Sequence, residues 1–294
     1  MNFHERLQAD KEMVERRLSN LLPPQNQKNK RVIESMDYSL KVGGKRLRPI
    51  LFLETLRLFE KPFEDFSDLA CTLELIHTYS LIHDDLPAMD DDVLRRGKPT
   101  NHIVFGEACA ILAGDGLLNH AYELMFRFLQ KNFSEAALSA CVEIAKAAGI
   151  FGLLGGQIVD IDSEKKEIDF ETMEYIHRHK TGALIEASMV SAALLSQIER
   201  EELKIIRDYA RNLGLLFQIT DDILDETGDE ILLGKNVGKD GKLGKATYPK
   251  FFGTEKSKEI AKEIAASCVE SIRCLNRETD FFENFSEYIL NRKK

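Results

Sequence analysis

The amino-acid sequence predicts an all-α protein that forms one domain over residues 1–294. Apolar residues recur at steps of three and four, the spacing of one helix face, through most of the chain. Strand-like alternation bounded by turn residues is not found. Glycine and proline fall between the periodic stretches, for example at Pro23-Pro24 and Gly43-Gly44, where connections are expected. No shift in composition marks a domain boundary, and 44% hydrophobic residues are enough to build a large core.

The periodic stretches give the predicted helices in chain order. They cover about 3–20, 31–41, 48–59, 66–86, 104–130, 135–158, 171–196, 200–225, 255–275 and 281–291. Residues 226–248 lie between the predicted helices 200–225 and 255–275. This segment is long for a connection inside a compact domain, and such loops are often lids or binding loops. This loop carries four lysines, which favours a phosphate-binding lid: Lys235, Lys239, Lys242 and Lys245.

Bulk properties exclude several classes of protein. A formal net charge of -9 argues against general affinity for nucleic acid or an anionic membrane. No membrane span is expected, because no long uninterrupted apolar run occurs, and the polar start does not resemble a signal peptide. The chain has 5 cysteines and no C-x-x-C pair, which predicts free thiols in a cytoplasmic protein.

A first aspartate cluster ends the apolar stretch 66–86. Leu73, Ile76, His77 and Asp84 lie on one helical stripe, so Asp84 tops a face that is otherwise core. Asp85 follows directly. From its place on the stripe alone, His77 is better interpreted as a core histidine.

Asp90 lies beyond Pro87, which should end or bend the helix. The resulting turn can bring Asp90 back beside Asp84. Closely spaced carboxylates repel one another unless a cation lies between them, and hard oxygen ligands suit Mg²⁺.

A second aspartate cluster ends the stretch 200–225. Asp221 and Asp225 are one helical turn apart, Asp222 lies beside them, and Gln218 is a turn earlier. Mg²⁺ usually completes its shell with water and substrate phosphates, so two such clusters suggest a metal-bridged diphosphate site. Two solvated acidic helix ends are the plainer alternative.

Positive charges are also clustered. Lysine and arginine follow a glycine or a helix end at three places, where an anion can approach backbone and side chain together. These groups are Lys45, Arg46 and Arg48; Arg95 and Arg96; and Lys180, which precedes Thr181. Phosphate-binding loops of the G-x-x-x-x-G-K-[ST] and G-x-G-x-x-G types are absent from the sequence.

Taken in order, these motifs resemble those of the trans-isoprenyl diphosphate synthase family, and most nearly its bacterial-type farnesyl diphosphate synthases. The matching segments are GGKRLRP at 43–49, IHTYSLIHDDLPAMDDDVLRRGKPT at 76–100, GEACAILAGDGLL at 106–118, GGQIVDI at 155–161, HKTGAL at 179–184, FQITDDILDETGD at 217–229 and LGKATYP at 243–249. The resemblance implies a single-domain isoprenoid synthase bundle of about ten or more helices around a deep central cavity. It also implies a homodimer.

The resemblance assigns roles to individual residues. Asp84, Asp90 and Asp221 would ligate about three Mg²⁺ ions per active site, with Asp85, Asp222 and Asp225 in supporting positions, and these ions would hold the diphosphate of an allylic substrate. Positive contacts to that leaving group would come from Arg95, Lys180 and Lys235. Residues matching the pocket for isopentenyl diphosphate are Lys45, Arg48, His77 and Arg96. Those matching positions at the reacting centre are Thr181, Gln218, Gln157 and Asp160. His83, His102, His177 and His179 are interpreted as surface or structural residues.

The implied activity is synthesis of farnesyl diphosphate from isopentenyl diphosphate with dimethylallyl and geranyl diphosphate. In related synthases a bulky aromatic at the place of Tyr79 closes the floor of the chain pocket, and Ser80 beside it leaves room. A longer-chain synthase such as a geranylgeranyl diphosphate synthase shares nearly every motif and stays open as an alternative. A class I terpene cyclase would have no use for the second diphosphate pocket. A non-catalytic synthase subunit would be expected to lack motif residues, and none is missing.

Overall fold

The computed structural model describes residues 1–24, 28–164, 166–227 and 246–292, and within these it confirms the all-α fold. Backbone packing divides the chain into two compact units. The first comprises Met1–Leu53 and Pro62–Leu138, and the second comprises Glu54–Lys61 and Ser139–Lys294. The single domain over 1–294 stays a prediction.

The first unit is built around α4. Its helices are α1 (Phe3–Leu18), α2 (Lys30–Lys41), the first part of α3 (Leu47–Leu58), α4 (Ser67–Asp84), α5 (Asn101–Phe105) and α6 (Glu107–Lys131). A short 3₁₀ turn, Phe63–Phe66, precedes α4. α1, α2 and α6 all pack on α4, and most of its residues are buried. Because α4 is buried on most sides, its sequence does not show the separate polar face of a surface helix.

A short antiparallel ribbon departs from the purely helical prediction. β1 (Leu94–Arg95) pairs with β2 (Lys98–Pro99) through a tight turn at Arg96-Gly97. Both turn residues have positive φ, 53° and 75°, as the two-residue hairpin turn requires. Two-residue strands are too short to produce a sequence alternation.

The second unit is built around α11 (Arg200–Thr227). It also contains α8 (Leu153–Ser163), α9 (Phe170–Ile176), a π-helix (His177–Gly182), α10 (Ala183–Leu195), α12 (Tyr248–Phe252), α13 (Thr254–Arg273) and α14 (Asp280–Leu290). α7 (Glu135–Ala148) runs into this unit. α11 packs against α10, α13 and the π-helix.

Two predicted helices are interrupted in the structure. The predicted stretch 135–158 is split into α7 and α8 by a turn at Gly149–Gly152, and the stretch 171–196 contains the π-helix between α9 and α10. Residues Glu135–Ser163 are long and apolar enough to cross a membrane, with a mean hydropathy of 1.7. However, the turn divides them, and 44% of their most apolar stretch is buried. By itself this segment is weak evidence for a membrane span.

Candidate active site

The first aspartate cluster lies where α4 ends. Asp84 is the last residue of the helix and is 9% exposed. Beyond Pro87 the chain folds back, and the backbone N–H of Asp90 donates to the carbonyl of Asp84 at 2.8 Å. The turn that the sequence predicts therefore exists and brings the two aspartates together.

Arg95 is held by Asp85 in the same unit. Its Nε and Nη2 donate to the two carboxylate oxygens at distances of 2.6–2.9 Å, which is the two-pronged geometry that arginine favours. Burial raises the pKa of Asp85, and the Arg95 guanidinium opposes this shift. The contact of Arg95 with a diphosphate and the support of a metal by Asp85 both stay predictions.

The residues predicted for isopentenyl diphosphate come together beside Gly44. A Cβ on Gly44 would lie 2.7 Å from Nη1 of Arg96, so this guanidinium lies close against the backbone of Gly44. Burial, and then Arg48 and Arg96, lower the pKa of His77 well below its usual value. The imidazole of His77 is therefore neutral at neutral pH. Lys45 follows Gly44 and is half-buried.

Arg46 differs from its neighbours in this basic segment. Its Nη1 forms an ion pair with Glu74 at 2.6 Å, and both side chains are 3% exposed. It also donates to the carbonyl of Leu40. Arg46 is adjacent in sequence to the residues predicted to bind isopentenyl diphosphate, Lys45 and Arg48. In the structure its side chain is instead buried in an ion pair inside the first unit.

Tyr79 packs inside the first unit. It is 3% exposed, and its ring meets that of His83 edge-on with centroids 5.8 Å apart. Its hydroxyl is buried and has no hydrogen-bond partner among the described residues. Burial is the first of the causes that raise the pKa of Tyr79 to about 12. The buried ring of Tyr79 therefore contributes an apolar surface to the interior of the first unit.

The second unit contains a cavity of about 120 Å³ into which several predicted residues converge: Asp160, Lys180, Thr181, Gln218 and Asp222. Nζ of Lys180 forms an ion pair with Asp160 at 2.7 Å. The Thr181 hydroxyl donates to Oε1 of Gln218 at 2.9 Å, and Nε2 of Gln218 donates to Oδ1 of Asp222 at 3.1 Å. Thr181, Gln218 and Asp222 thus form one hydrogen-bonded chain, and Lys180 and Asp160 form a separate ion pair at the same cavity.

The π-helix places Lys180 and Thr181 at this cavity. π-helical turns inside longer helices are frequent at functional sites. Two glycines permit its close packing: a Cβ on Gly156 would lie 2.2 Å from the backbone N of Lys180, and one on Gly214 would lie 2.9 Å from Cα of Gly182. The turn is therefore held against α8 on one side and α11 on the other.

Asp222 has further partners that the sequence does not predict. Oδ2 lies 3.1 Å from Nε2 of His177 and accepts from the backbone N–H of Tyr248 at 3.0 Å. The rings of His177 and Tyr248 stack, with centroids 5.8 Å apart and planes at 22°. Of the two interpretations of His177, surface or structural residue, its burial favours the structural one. The only sequence feature that points to His177 is its place just before the HKTGAL segment.

The remaining residues of the second cluster have different surroundings. Oδ1 of Asp221 accepts from Nη2 of Arg292 at 2.6 Å, and the Arg292 guanidinium lies 3.9 Å from the ring centroid of Phe217. No motif in the sequence indicates Arg292. Asp225 is 4% exposed and Gln157 is 7% exposed. Lys235 and the rest of the proposed lid from 228 to 245 lie outside the described residues.

The carboxylates fit Mg²⁺ bound together with a phosphate ligand. In the part of the chain that the structure describes, no three His, Cys, Asp or Glu side chains converge as a ready metal cage. Each unit offers hard oxygen ligands, Asp84 and Asp90 in the first and Asp221 in the second, and those of either unit alone are too few to surround an ion. Mg²⁺ commonly binds through one or two carboxylates and takes its other ligands from water and substrate phosphates.

Comparisons with known proteins show which family the sequence is similar to. Residues 29–279 match the model of the family described as polyprenyl synthetase. The geranylgeranyl diphosphate synthase of Cyanophora paradoxa is 44% identical over 96% of this chain and 94% of its own. The farnesyl diphosphate synthase of Escherichia coli strain K12 is 42% identical over 100% of both chains.

A solved structure extends the likeness to the fold. The geranyltransferase of Helicobacter pylori, complexed with magnesium and isoprenyl diphosphate, superposes with a TM-score of 0.85 and 30% identity over 97% of this chain and 95% of that one. Since the family model and both relatives cover most of the sequence, the chain belongs to the polyprenyl synthetase family and is a prenyltransferase that makes trans-prenyl diphosphates.

Proposed function

We propose that this protein condenses isopentenyl diphosphate with dimethylallyl diphosphate and then with geranyl diphosphate, releasing farnesyl diphosphate. The observation that carries this proposal is the pairing of aspartates with cations in each unit. Arg95 pairs with Asp85 next to the Asp84–Asp90 turn, and the Asp221–Asp225 motif lies on α11, the helix whose Gln218 is hydrogen-bonded to Thr181, next to Lys180. Such a pairing suits magnesium diphosphate as a ligand.

Asp84, Asp90 and Asp221 would hold the Mg²⁺ ions, which when bound supply positive charge to a departing diphosphate. Lys180 and Arg95 add fixed positive charge for the same leaving group. Preplaced charges of this kind act on negative charge that develops as the bond breaks, so they lower the barrier.

The protein's own residues then direct the condensation. His77, Arg48 and Arg96 hold the second diphosphate, so that the terminal double bond of isopentenyl diphosphate faces the allylic carbon. As the allylic carbon–oxygen bond breaks, the alkene forms the new carbon–carbon bond, and a proton passes to the released diphosphate. No protein nucleophile is needed. Apolar side chains around the reacting centre would exclude water, which would otherwise capture the cation.

Tyr79 supports farnesyl diphosphate as the product. Its buried ring, one turn before the first aspartates, would close the space below the metal site and stop chain growth. Because close relatives include both farnesyl and geranylgeranyl diphosphate synthases, a longer product is the second candidate. A non-catalytic subunit is less well supported, since every motif residue is present.

A cytoplasmic homodimer with one domain per chain completes the proposal. Bulky apolar side chains remain exposed in each unit, among them Phe126 and Phe133 in the first and Ile150 and Phe151 in the second. Exposed apolar side chains that form a contiguous patch commonly mark subunit interfaces. Light scattering on the purified protein would measure the mass.

The decisive experiment is a product analysis. The protein is incubated with isopentenyl diphosphate, Mg²⁺ and each allylic diphosphate in turn, and the products are identified by mass spectrometry. Farnesyl diphosphate is expected from the wild type, and geranylgeranyl or longer diphosphates from Tyr79→Ala. Tyr79→Phe keeps the ring and should keep the wild-type product. A folded, active Tyr79→Ala that releases only farnesyl diphosphate would show that another side chain sets the length.

A further inference from the structure

We propose that Asp222 is a positioning residue and not a metal ligand, and that His177 holds it in place. The inference rests on the proposed function, and it assigns to the two adjacent aspartates of the second cluster two different tasks. Asp221 faces the metal and substrate, whereas Asp222 orients Gln218 and Thr181.

The surroundings of the two carboxylates differ in the way this division requires. Asp222 is 4% exposed and has three protein donors, from Gln218, His177 and Tyr248. An ionised carboxylate only accepts hydrogen bonds, so each of these groups donates to it. The donors come from α11, the π-helix and α12. Turning the carboxylate toward an ion would break contacts with all three elements.

Asp221 has no such enclosure. Its side chain is 39% exposed, and among the described residues it pairs with one cation, Arg292. A carboxylate that is partly open to solvent and faces a single charged partner can exchange that partner for a metal ion at lower cost than a buried, fully bonded one.

The hydrogen-bond chain gives Asp222 its task. Because Asp222 accepts only, the amide NH₂ of Gln218 must point toward it, and the amide oxygen must point toward Thr181. The Thr181 hydroxyl therefore donates to Gln218, at 2.9 Å, and turns its remaining lone pairs elsewhere. In this way the carboxylate fixes which atoms of Gln218 and Thr181 are available at the reacting centre.

His177 provides the rigidity of the chain. It is 6% exposed, and its ring is enclosed between Asp222 and the stacked ring of Tyr248, which is itself 2% exposed. Phe170 packs edge-on against Tyr248 from α9. The imidazole thus joins the π-helix to Asp222 of α11 through one hydrogen bond and to the start of α12 through one ring contact.

The test separates the hydrogen bond from the ring. His177→Phe keeps an aromatic ring but loses the donor, and His177→Gln restores a donor without the ring. Asp222→Asn exchanges one acceptor oxygen for an NH₂ group and permits the Gln218 amide to flip. His179→Phe, two residues along the same π-helix, is the matched control because His179 bonds to the carbonyl of Tyr175 and lines a different cavity.

Three measurements are made on each variant. They are kcat, the unfolding free energy, and the number of Mn²⁺ ions retained with inorganic diphosphate, counted from the free Mn²⁺ signal in electron paramagnetic resonance. We expect His177→Phe and Asp222→Asn each to lower kcat by about 10- to 100-fold, as is common for residues that orient a functional group. The double variant should be no worse than the more damaged single variant. His177→Gln should recover part of the loss, and His179→Phe should match the wild type.

The Mn²⁺ count decides between ligand and positioning residue. Asp222→Asn should retain the wild-type number of ions, whereas Asp221→Asn should retain fewer. An Asp222→Asn protein that loses ions as Asp221→Asn does would overturn the proposal, as would full activity in His177→Phe or losses that multiply in the double variant. If the wild type makes no prenyl diphosphate, the proposed function fails instead. The ion count and the coupling of the two substitutions in unfolding free energy then still test the network.

Discussion

The buried ion pair between Arg46 and Glu74 can be separated from the substrate-binding role of the residues beside it. Arg46→Met removes the guanidinium but keeps much of the side chain's volume. It leaves Glu74, 3% exposed, without the cation that lies 2.6 Å away. It also removes a donor to the carbonyl of Leu40.

The expected cost follows from this burial. Removing one partner of a buried ion pair typically lowers the unfolding free energy by about 3–5 kcal/mol, because the remaining charge stays buried. For a chain of this size, that corresponds to a fall in Tm of roughly 6–20 °C. Replacing both partners with apolar residues is often neutral, so Arg46→Met with Glu74→Leu should return the stability to near the wild-type value.

Urea denaturation followed by circular dichroism measures the unfolding free energy of the single and double variants. Arg48→Ala is the matched comparison, since it changes an arginine in the same segment that is predicted to bind isopentenyl diphosphate. We expect Arg48→Ala to raise the KM for that substrate and to change stability less than Arg46→Met does. Equal destabilisation by the two single variants, or a double variant no more stable than Arg46→Met, would refute the assignment of Arg46 to the interior.

The remaining predictions concern the metal site, the two diphosphates and alkaline pH. Asp84→Ala and Asp221→Ala should each lower condensation activity by about 10² to 10³ while the helical circular dichroism is retained, and near-normal turnover would contradict the metal assignment. Arg96→Ala should chiefly raise the KM for isopentenyl diphosphate, and Lys180→Ala should chiefly raise the KM for the allylic substrate. Steady-state kinetics measures both constants, and equal effects on the two would show that the assignment of these residues to different diphosphates is wrong. The pKa of Tyr79 is raised to about 12 in the folded protein. The contribution of the protonated Tyr79 to the unfolding free energy is therefore complete below about pH 10 and is lost as the pH rises from about 10 to 12. The loss is about 1.4 kcal/mol per pH unit at most. Denaturation of Tyr79→Phe should show a smaller loss over this range, and an identical pH profile would argue against the shift.

Local signals predicted much of the first unit. The stripe through Ile76 leads to Asp84 because a helix repeats its faces regularly, and Pro87 ends that helix because it cannot donate a backbone hydrogen bond. The return of Asp90 to Asp84 followed from these two facts. The same reasoning located the Asp221 cluster on α11.

Long-range contacts were not predictable in this way. Arg292 reaches Asp221 across many residues of sequence, and a lone arginine near the end of the chain carries no pattern. His177 gains its role only from packing on Asp222 and Tyr248. The π-helix was read as ordinary helix because one extra residue in a turn barely changes the apolar spacing.

The π-helix also limits how the length of this chain can vary. Removal of one residue between His177 and Gly182 would replace the wide turn by an ordinary α-helical turn and shift Lys180 and Thr181 relative to α8 and α11. Gly156 and Gly214 hold the segment on both sides, so it has no free space in which to absorb that shift. A library of single-residue insertions and deletions should therefore be depleted of functional members at these positions, while the connection after Lys131 accepts them. Evolution of new product lengths in this scaffold would then have to proceed by substitution around the π-helix rather than by changes in its length.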